Sequence, residues 1–243
     1  MSESLHGEIA VRPDADAVAD AAAELLRRES DVACAANGRF AIALSGGSTP
    51  ARLFDRLGRE PYLSAIDWPV WSVYFSDERA VSPDDAGSNY RLVRESLLTR
   101  VPIDPERVRR MPAEHTDLDL AADEYAVTLH GDLEDGPGGA PRLDCIVLGL
   151  GENGHTASLF PGTPALSVRD RWVTRGLADY APNERLTLTY PTINAASLVV
   201  FIVTGASKVN ALRDTAAGTT PAALVQPVDG RLVWIMDEAA AGG

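Results

Sequence analysis

The stretch LDCIVLGLGENGHTASLFPG, residues 143–162, runs a short apolar segment directly into a glycine-rich turn that carries a histidine. The segment CIVLGL has the continuous apolar character of a strand buried on both faces of a parallel sheet. His155 follows it between Gly154 and Thr156, where the glycine lets the ring approach a ligand closely. An unperturbed imidazole titrates near pH ~6.5 and accepts a proton at neutral pH. The pattern indicates a catalytic base; the alternative is a structural histidine that caps the next helix or bonds a backbone carbonyl.

Three further apolar runs end in polar turns of this kind. IAL leads into SGGSTP at 45–50, VYF into SDER at 76–79, and VVFIVT into GASK at 205–208. In a parallel sheet all carboxyl ends of the strands lie along one edge, and ligands bind in the crevice outside that edge. The sequence therefore predicts that these four turns, far apart along the chain, meet at one site.

Helical patterns alternate with these strands. DADAVADAAAELLRRES at 14–30 has apolar residues at helical spacing, and further helices are predicted at 51–57 and around 117–131. Ser88 is expected to cap the helix in GSNYRLVRESLL at 87–98. Alternating strands and helices predict an α/β fold with a mainly parallel sheet and helices on both faces.

The domain organisation follows from the same alternation. The Gly/Pro-rich loop at 135–141 is interpreted as a surface loop, because strand–helix units continue on both sides of it without a change in composition. The chain, 1–243, is therefore predicted to form a single domain. The polar segment at about 167–190 is assigned to no helix or strand.

Composition excludes several classes of function. The formal net charge of −13 predicts a surface that repels nucleic acid and anionic membranes, whose phosphates are bound by clustered Lys and Arg. No apolar run approaches the ~20 residues that span a bilayer, and the N-terminus lacks a secretory signal pattern. With only Cys34 and Cys145, a disulfide framework is not expected and a cytoplasmic location fits. No Cys/His cluster has metal-ligand spacing, so no metal site is expected.

The turn SGGSTP has the composition of a backbone cradle for an anion. Gly46 and Gly47 permit a tight turn, Ser45, Ser48 and Thr49 add hydroxyl donors, and the next helix N-terminus favours negative charge. The turn lacks the Lys-Ser/Thr ending of a nucleotide P-loop and the spacing of a dinucleotide-binding motif. The alternative is a Gly-Gly turn followed by an ordinary Ser/Thr helix cap.

The turns GASK and SDER each carry a positively charged residue, Lys208 and Arg79. Lys208 is the only lysine of the chain, at a helix start where a cation is mildly unfavourable unless an anion is present. It is predicted to bind phosphate; a solvated lysine is the alternative. Arg79 follows Asp77 and Glu78, and it is expected to hold an anion or a polar carbonyl while an acid positions it. An exposed charged loop is the other interpretation.

Several motifs occur together in a fixed order: ALSGGSTP, FSDERAV with SNYRLVRESLL, GLGENGHTASLFPGTP, RLTLTYPTINAA and FIVTGASKVNAL. Over roughly residues 38–215 they resemble the 6-phosphogluconolactonases of the glucosamine-6-phosphate isomerase/lactonase superfamily. The resemblance implies a Rossmann-like open sheet and hydrolysis of 6-phospho-D-glucono-1,5-lactone to 6-phospho-D-gluconate in the oxidative pentose phosphate pathway. It implies a small phosphorylated sugar lactone as ligand, without cofactor or metal. No nucleic-acid or membrane partner is expected, and the chain is expected to be a monomer or weak dimer.

The resemblance also assigns residues. The segment from Ser45 to Thr49 corresponds to the family's phosphate loop, and Lys208 corresponds to its phosphate lysine. Arg79 matches the arginine of its Asp-Glu-Arg turn, and His155 matches its catalytic histidine. Arg185 lies in a segment that family members place near the substrate.

Two features separate this chain from its relatives. Related glucosamine-6-phosphate deaminases continue the histidine motif into Asn-Glu-Pro, whereas this chain has Leu159-Phe160-Pro161 and lacks that acid. Both branches commonly carry Asp-Gly-His, whereas Asn153 stands here and supports an imidazolium less. Asp77 and Asn153 are the candidate orienting residues. A non-catalytic sugar-phosphate sensor remains the alternative of a different class, although such a regulator would usually carry a DNA-binding helix pair and a basic face.

Overall fold

The computed structural model describes residues 4–243, so residues 1–3 of the predicted domain lie outside the described residues. The strands of this part of the chain are β1 Glu8–Arg12, β2 Phe40–Leu44, β3 Trp71–Phe75, β4 Asp77–Arg79, β5 Cys145–Leu148, β6 Val173–Leu177, β7 Glu184–Leu188, β8 Leu198–Val203 and β9 Arg231–Asp237. Six of them form an open sheet in the order β1-β9-β8-β5-β2-β3. Every neighbouring pair in this sheet is parallel.

The centre of this sheet consists of the continuous apolar runs. Every residue of β2, β5 and β8 is buried. Because successive side chains of a strand point to opposite faces, complete burial means that both faces of the sheet are covered. The predicted α/β fold with an open parallel sheet is therefore confirmed.

The helices of the described chain are α1 Ala15–Asn37, α2 Ser48–Leu57, α3 Tyr62–Ala65, α4 Asn89–Val93, α5 Leu118–Asp132, α6 Tyr190–Ala195, α7 Val209–Ala216 and α8 Glu238–Ala241. The first seven lie between strands, and α8 follows β9. α1 contains the predicted 14–30 pattern and extends it to the left-handed Gly38, whose φ is 71°. Ser88 caps α4 as predicted, since its side chain accepts a hydrogen bond from the Arg91 amide at 3.1 Å. The helix expected around 117–131 is α5.

A second sheet was missed by the sequence analysis. β4, β7 and β6 form a three-stranded antiparallel sheet, so SDER is a strand as well as a turn, and the segment 167–190 contains two strands. These strands are short, and β6 alternates buried and exposed residues without a continuous apolar run. Charged residues occupy exposed positions of both strands: Arg175 on β6 pairs with Glu184 on β7 at 2.7 Å. The segment therefore resembled a polar loop.

Ser76 joins the two sheets. It is fully buried between the end of β3 and the start of β4. Its amide donates to the carbonyl of Leu44 at 2.9 Å, and its carbonyl accepts from the amide of Leu188 at 2.8 Å. The backbone of one residue is thus bonded to a strand end of each sheet, which fixes the position of the antiparallel sheet at the carboxyl edge of the parallel one.

The loop at 135–141 folds back on itself, through a bridge between Asp135 and Pro141. Buried apolar side chains from both sides of this loop, from Val18 to Ala240, belong to one core cluster. None of the helices within residues 4–243 combines the length and the apolar character needed to cross a membrane.

Tyr125 on α5 tests how much a single buried hydroxyl contributes to this core. Its hydroxyl accepts from the Phe75 amide at 2.9 Å and donates to the Arg109 carbonyl at 3.0 Å. Tyr125→Phe leaves both backbone groups without this partner, so we expect a loss of about 1–3 kcal/mol in the free energy of unfolding, measured with urea. Val127→Ala, on the exposed side of the same helix, should change it by less than about 0.5 kcal/mol. Equal effects of the two substitutions would contradict this assignment.

Candidate functional site

The four polar turns meet, as predicted, at the carboxyl edge of the parallel sheet. They line one cavity of about 390 Å³. The predicted residues that line it are Ser45, Gly46, Gly47, Ser48, Thr49, Asp77, Arg79, His155, Arg185 and Lys208. Asn153 is the exception: it lies behind His155 and contacts its ring.

The 45–49 turn presents the start of α2 to the cavity. Gly47, with φ 110°, occupies the N-cap position without a side-chain cap. The first amides of a helix have no partner inside the helix, so those of Ser48 and Thr49 are suited to an anionic ligand. The Ser45 hydroxyl, by contrast, is hydrogen-bonded within the protein. It donates to the Val147 carbonyl at 2.8 Å and lies 2.6 Å from the Ser76 hydroxyl. The Ser45 hydroxyl thus bonds within the protein in this structure, and donation from it to a ligand stays a prediction.

Asn89 connects the glycine turn to β4, and the sequence analysis did not identify it. A Cβ on Gly46 would lie 1.7 Å from Asn89 Oδ1, so this close approach requires glycine. The side-chain Nδ2 of Asn89 donates to the Asp77 carbonyl at 2.8 Å, and its Oδ1 accepts from Arg79 at 2.5 Å. Asn89 lies in the motif SNYRLVRESLL, directly after the helix cap Ser88, and these were its sequence signals.

The acids of SDER separate into different roles. Asp77 lines the cavity, where its Oδ2 accepts from the Ser158 hydroxyl at 2.7 Å. Glu78 instead caps α4 by accepting from the amides of Asn89 and Tyr90, at 2.7 and 2.8 Å. Burial raises the pKa of Glu78, while these amide hydrogen bonds oppose the rise. Of these two acids, only Asp77 lines the cavity, together with Glu152 from the histidine turn.

Two arginines face each other across the antiparallel sheet. Arg79 on β4 is the register partner of Arg185 on β7. Arg185 is only 1% exposed, and its two terminal nitrogens have no hydrogen-bond partner among residues 4–243. Burial lowers the pKa of Arg185, and the neighbouring Arg79 charge lowers it further. Like charges opposite each other destabilise a sheet, so this arrangement is suited to an anionic group that satisfies both.

Lys208 approaches the cavity from the turn that precedes α7. Asp237 at the end of β9 holds this turn, with both carboxylate oxygens 3.0 Å from the Gly205 amide. Lys208 is half-buried. No carboxylate oxygen of residues 4–243 lies within 4.0 Å of its Nζ, so it forms no ion pair there. Asp237 was another residue that the sequence analysis missed. It ends β9 directly after an apolar run, as the other polar turns do, and this pattern could have identified it.

His155 is held on several sides. Its ring stacks on Phe160 with centroids 4.0 Å apart, and a Cβ on Gly151 would lie 2.0 Å from Nδ1. Asn153 Oδ1 lies 2.6 Å from Nδ1. Because an amide oxygen only accepts, Nδ1 carries the proton and Nε2 keeps its lone pair. Burial lowers the pKa of His155 to about 4, against the opposing charge of Asp77, so the ring is neutral at pH 7.

Neutral imidazole and unpaired cations in one crevice define a class of protein that binds and acts on small anionic molecules. Within residues 4–243 no group of three or more His, Cys, Asp or Glu is arranged to hold a metal ion. A family model described as glucosamine-6-phosphate isomerases/6-phosphogluconolactonase matches residues 13–234. The chain belongs to this family.

Curated relatives of this chain include 6-phosphogluconolactonases. The 6-phosphogluconolactonase of Nostoc sp. is 40% identical over 237 residues, 96% of either chain. That of Synechocystis sp. is 43% identical over 213 residues, 86% of either chain. Among solved structures, the 6-phosphogluconolactonase of Trypanosoma brucei superposes with a TM-score of 0.87 at 27% identity and covers 98% of this chain and 99% of its own. A monomeric glucosamine-6-phosphate deaminase, at 20% identity and a TM-score of 0.81, shares the fold.

The unsatisfied Arg185 leads to a stability prediction. Replacing a buried, unpaired cation with an apolar side chain of similar length removes a desolvation cost, so Arg185→Met should raise the free energy of unfolding by about 1–3 kcal/mol. The loss of its contact with the Tyr180 ring, 5.4 Å away, offsets only part of this gain. Urea unfolding measures the change. Arg109→Met is the control, because Arg109 pairs with Asp132 at 2.6 Å and its loss should not stabilise the protein. A destabilised Arg185→Met protein would contradict this description of the site.

Proposed function

We propose that this protein hydrolyses 6-phospho-D-glucono-1,5-lactone to 6-phospho-D-gluconate, a step of the oxidative pentose phosphate pathway. The names of its relatives support this substrate. The observation that carries the proposal is a neutral histidine in the same cavity as Arg79, Arg185 and Lys208, three cations that form no ion pair with a carboxylate of residues 4–243. A lactone is an activated ester, so its hydrolysis requires a positioned water, a base and stabilisation of an oxyanion.

The substrate phosphate binds at the 45–49 turn in this proposal. The amides of Ser48 and Thr49 point from the start of a ten-residue helix, and an anion there is favoured by the helix dipole. The Thr49 hydroxyl lies 2.7 Å from that of Thr204, which leads directly into the turn carrying Lys208. The two phosphate-binding segments are therefore bonded to each other, and Lys208 supplies the charge.

His155 acts as the base. Its Nε2 accepts a proton from water while the water oxygen bonds to the lactone carbonyl carbon. The tetrahedral intermediate then breaks the bond to the ring oxygen, and the imidazolium returns the proton to that oxygen. Arg79 and Arg185 stabilise negative charge on the carbonyl oxygen and on the product carboxylate, since both present guanidinium groups to the cavity. No cofactor and no metal takes part in these steps.

Hydrolysis is favoured over the deaminase activity of other family members by the segment after His155. Leu159 and Phe160 are buried, and Phe160 packs against the His155 ring. No carboxylate therefore occupies the position where the deaminase motif carries its acid. A non-catalytic sensor would bind the sugar phosphate without turnover, so proton release from the lactone above the spontaneous rate is the decisive experiment. Absence of such release would refute the proposed activity.

We further propose that the chain acts as a single domain, as a monomer or weak dimer, in the cytoplasm. The single core cluster supports the first statement, and the free thiols Cys34 and Cys145 support a reducing compartment. The small-molecule lactone is its proposed ligand, with no nucleic-acid or membrane partner.

The low pKa of His155 determines the pH dependence. A base must be unprotonated, so activity is lost as the pH falls through its pKa, which lies at about 4 instead of the usual value near 6.5. We expect kcat, measured at saturating substrate, to stay level from about pH 7.5 to about pH 5.5. Saturation matters because the free phosphate titrates near pH ~6. A fall centred near pH ~6.5 would contradict the buried neutral ring.

Removal of the base should also be measured directly. His155→Ala should lower kcat by about 10²–10⁴-fold and leave binding of the phosphate largely unchanged. His115→Ala is the matched control, because His115 bonds the backbone of Asp117 away from the cavity. Near-wild-type turnover of His155→Ala would remove His155 from the mechanism.

Lys208 should affect binding more than chemistry. Lys208→Ala is expected to raise KM by at least about tenfold and to change stability by less than about 0.5 kcal/mol. Lys208→Arg keeps the charge on a wider planar group and should restore binding only in part. Arg213→Ala, an exposed cation on α7, is the control for a general change of charge. Steady-state kinetics and urea unfolding together measure these effects, and unchanged kinetics in Lys208→Ala would refute phosphate binding by this residue.

A further inference from the structure

We propose that Asp179 is a positioning residue for His155 and that it acts through Asn153. Asp179 lies in the turn between β6 and β7, which the Ala178 amide closes by donating to the Asn183 carbonyl at 2.8 Å. Its Oδ2 lies 3.2 Å from Nδ2 of Asn153, whose Oδ1 lies 2.6 Å from Nδ1 of His155. The three side chains form a hydrogen-bonded chain from an exposed carboxylate to the half-buried ring.

The directions of the hydrogen bonds in this chain are determined by its first member. A carboxylate only accepts, so Asp179 keeps the NH₂ group of Asn153 on its side and the amide oxygen towards His155. The His155 amide donates to the same oxygen at 3.1 Å and reinforces this orientation. Nδ1 of the ring must then donate, which leaves Nε2 as the acceptor required of a base.

Asp179 also supplies a charge that Asn153 lacks. The amide polarises towards the carboxylate, and a chain of hydrogen bonds strengthens each member. The charged groups that act on the ring are Asp77 and Asp179, which raise the pKa of His155, and Lys208 and Arg185, which lower it. Asp179 therefore makes Nε2 more basic and stabilises the imidazolium formed during the reaction. Asp179 acts on the ring through the side chain of Asn153 and does not line the cavity.

The inference depends on the proposed role of His155 as base, so its test includes a measurement that needs no substrate. The pKa of His155 is followed by NMR in the wild type and in Asp179→Asn, with the ring resonance assigned by comparison with His155→Ala. We expect the pKa to fall in Asp179→Asn, and kcat at neutral pH to fall about 3–20-fold with KM within about twofold. Glu184→Gln removes the same charge from the same hairpin, but its carboxylate pairs with Arg175, so neither quantity should change.

A second background makes the test sharper. In Asn153→Asp the new carboxylate contacts the ring directly and raises the pKa of His155, and Asp179 no longer acts through the side-chain amide of residue 153. Adding Asp179→Asn to that variant should therefore lower kcat by a smaller factor than it does in the wild type.

The outcomes are distinct. An unchanged NMR pKa in Asp179→Asn, a loss confined to KM, or an equal loss of kcat in both backgrounds overturns the proposal, because each shows that Asp179 does not act on His155 through Asn153. A wild type without lactone turnover that still shows the pKa shift refutes the proposed function and leaves the coupling of Asp179 to His155 in place.

Discussion

The backbone of Ser76 determines the geometry of the site. Its amide is bonded to the end of β2 and its carbonyl to the end of β7, so the two sheets cannot shift relative to each other without breaking a buried hydrogen bond. An unpaired buried backbone group costs about 1–3 kcal/mol. Asp77 and Arg79 follow directly, so their distance from the 45–49 turn is set by main-chain bonds before any side chain contributes. Asn89 then reinforces the junction by filling the space beside Gly46.

The electrostatics of the cavity oppose those of the surface. The chain carries a net charge of −13, and most of its exposed arginines pair with carboxylates. The cavity instead collects cations without such partners and places Arg79 opposite Arg185. Holding these charges together lowers the stability of the empty protein, and a bound anion recovers that loss. The acidic surface repels anions at long range, so binding depends on these short-range contacts.

The sequence predicted four of the six parallel strands, β2, β3, β5 and β8, because each contains an apolar run that a polar turn follows directly. It did not predict β1, which is largely exposed, or β9. The same rule placed His155, Lys208 and the 45–49 turn at one edge. Other features depend on contacts between distant segments. Arg185 lay in a polar segment that was assigned to no strand, and only the folded structure shows that it is buried opposite Arg79 with its two terminal nitrogens unbonded among the described residues. The Ser45 hydroxyl looked available, but it is bonded within the core. Hydrogen-bond partners of this kind cannot be derived from residue type or spacing.

One wall of the cavity is formed by the turn between β6 and β7, which is exposed to solvent. Exposed turns vary more in sequence than the strands they connect. This turn carries Tyr180, which lines the cavity, while the strands on either side keep the register that places Arg185. Because the Ala178–Asn183 hydrogen bond closes the turn, residues between these positions are replaceable without shifting that register. A substitution at Tyr180 would therefore change the wall of the cavity at little expense to folding, since the hydrogen bonds that join the two sheets lie elsewhere.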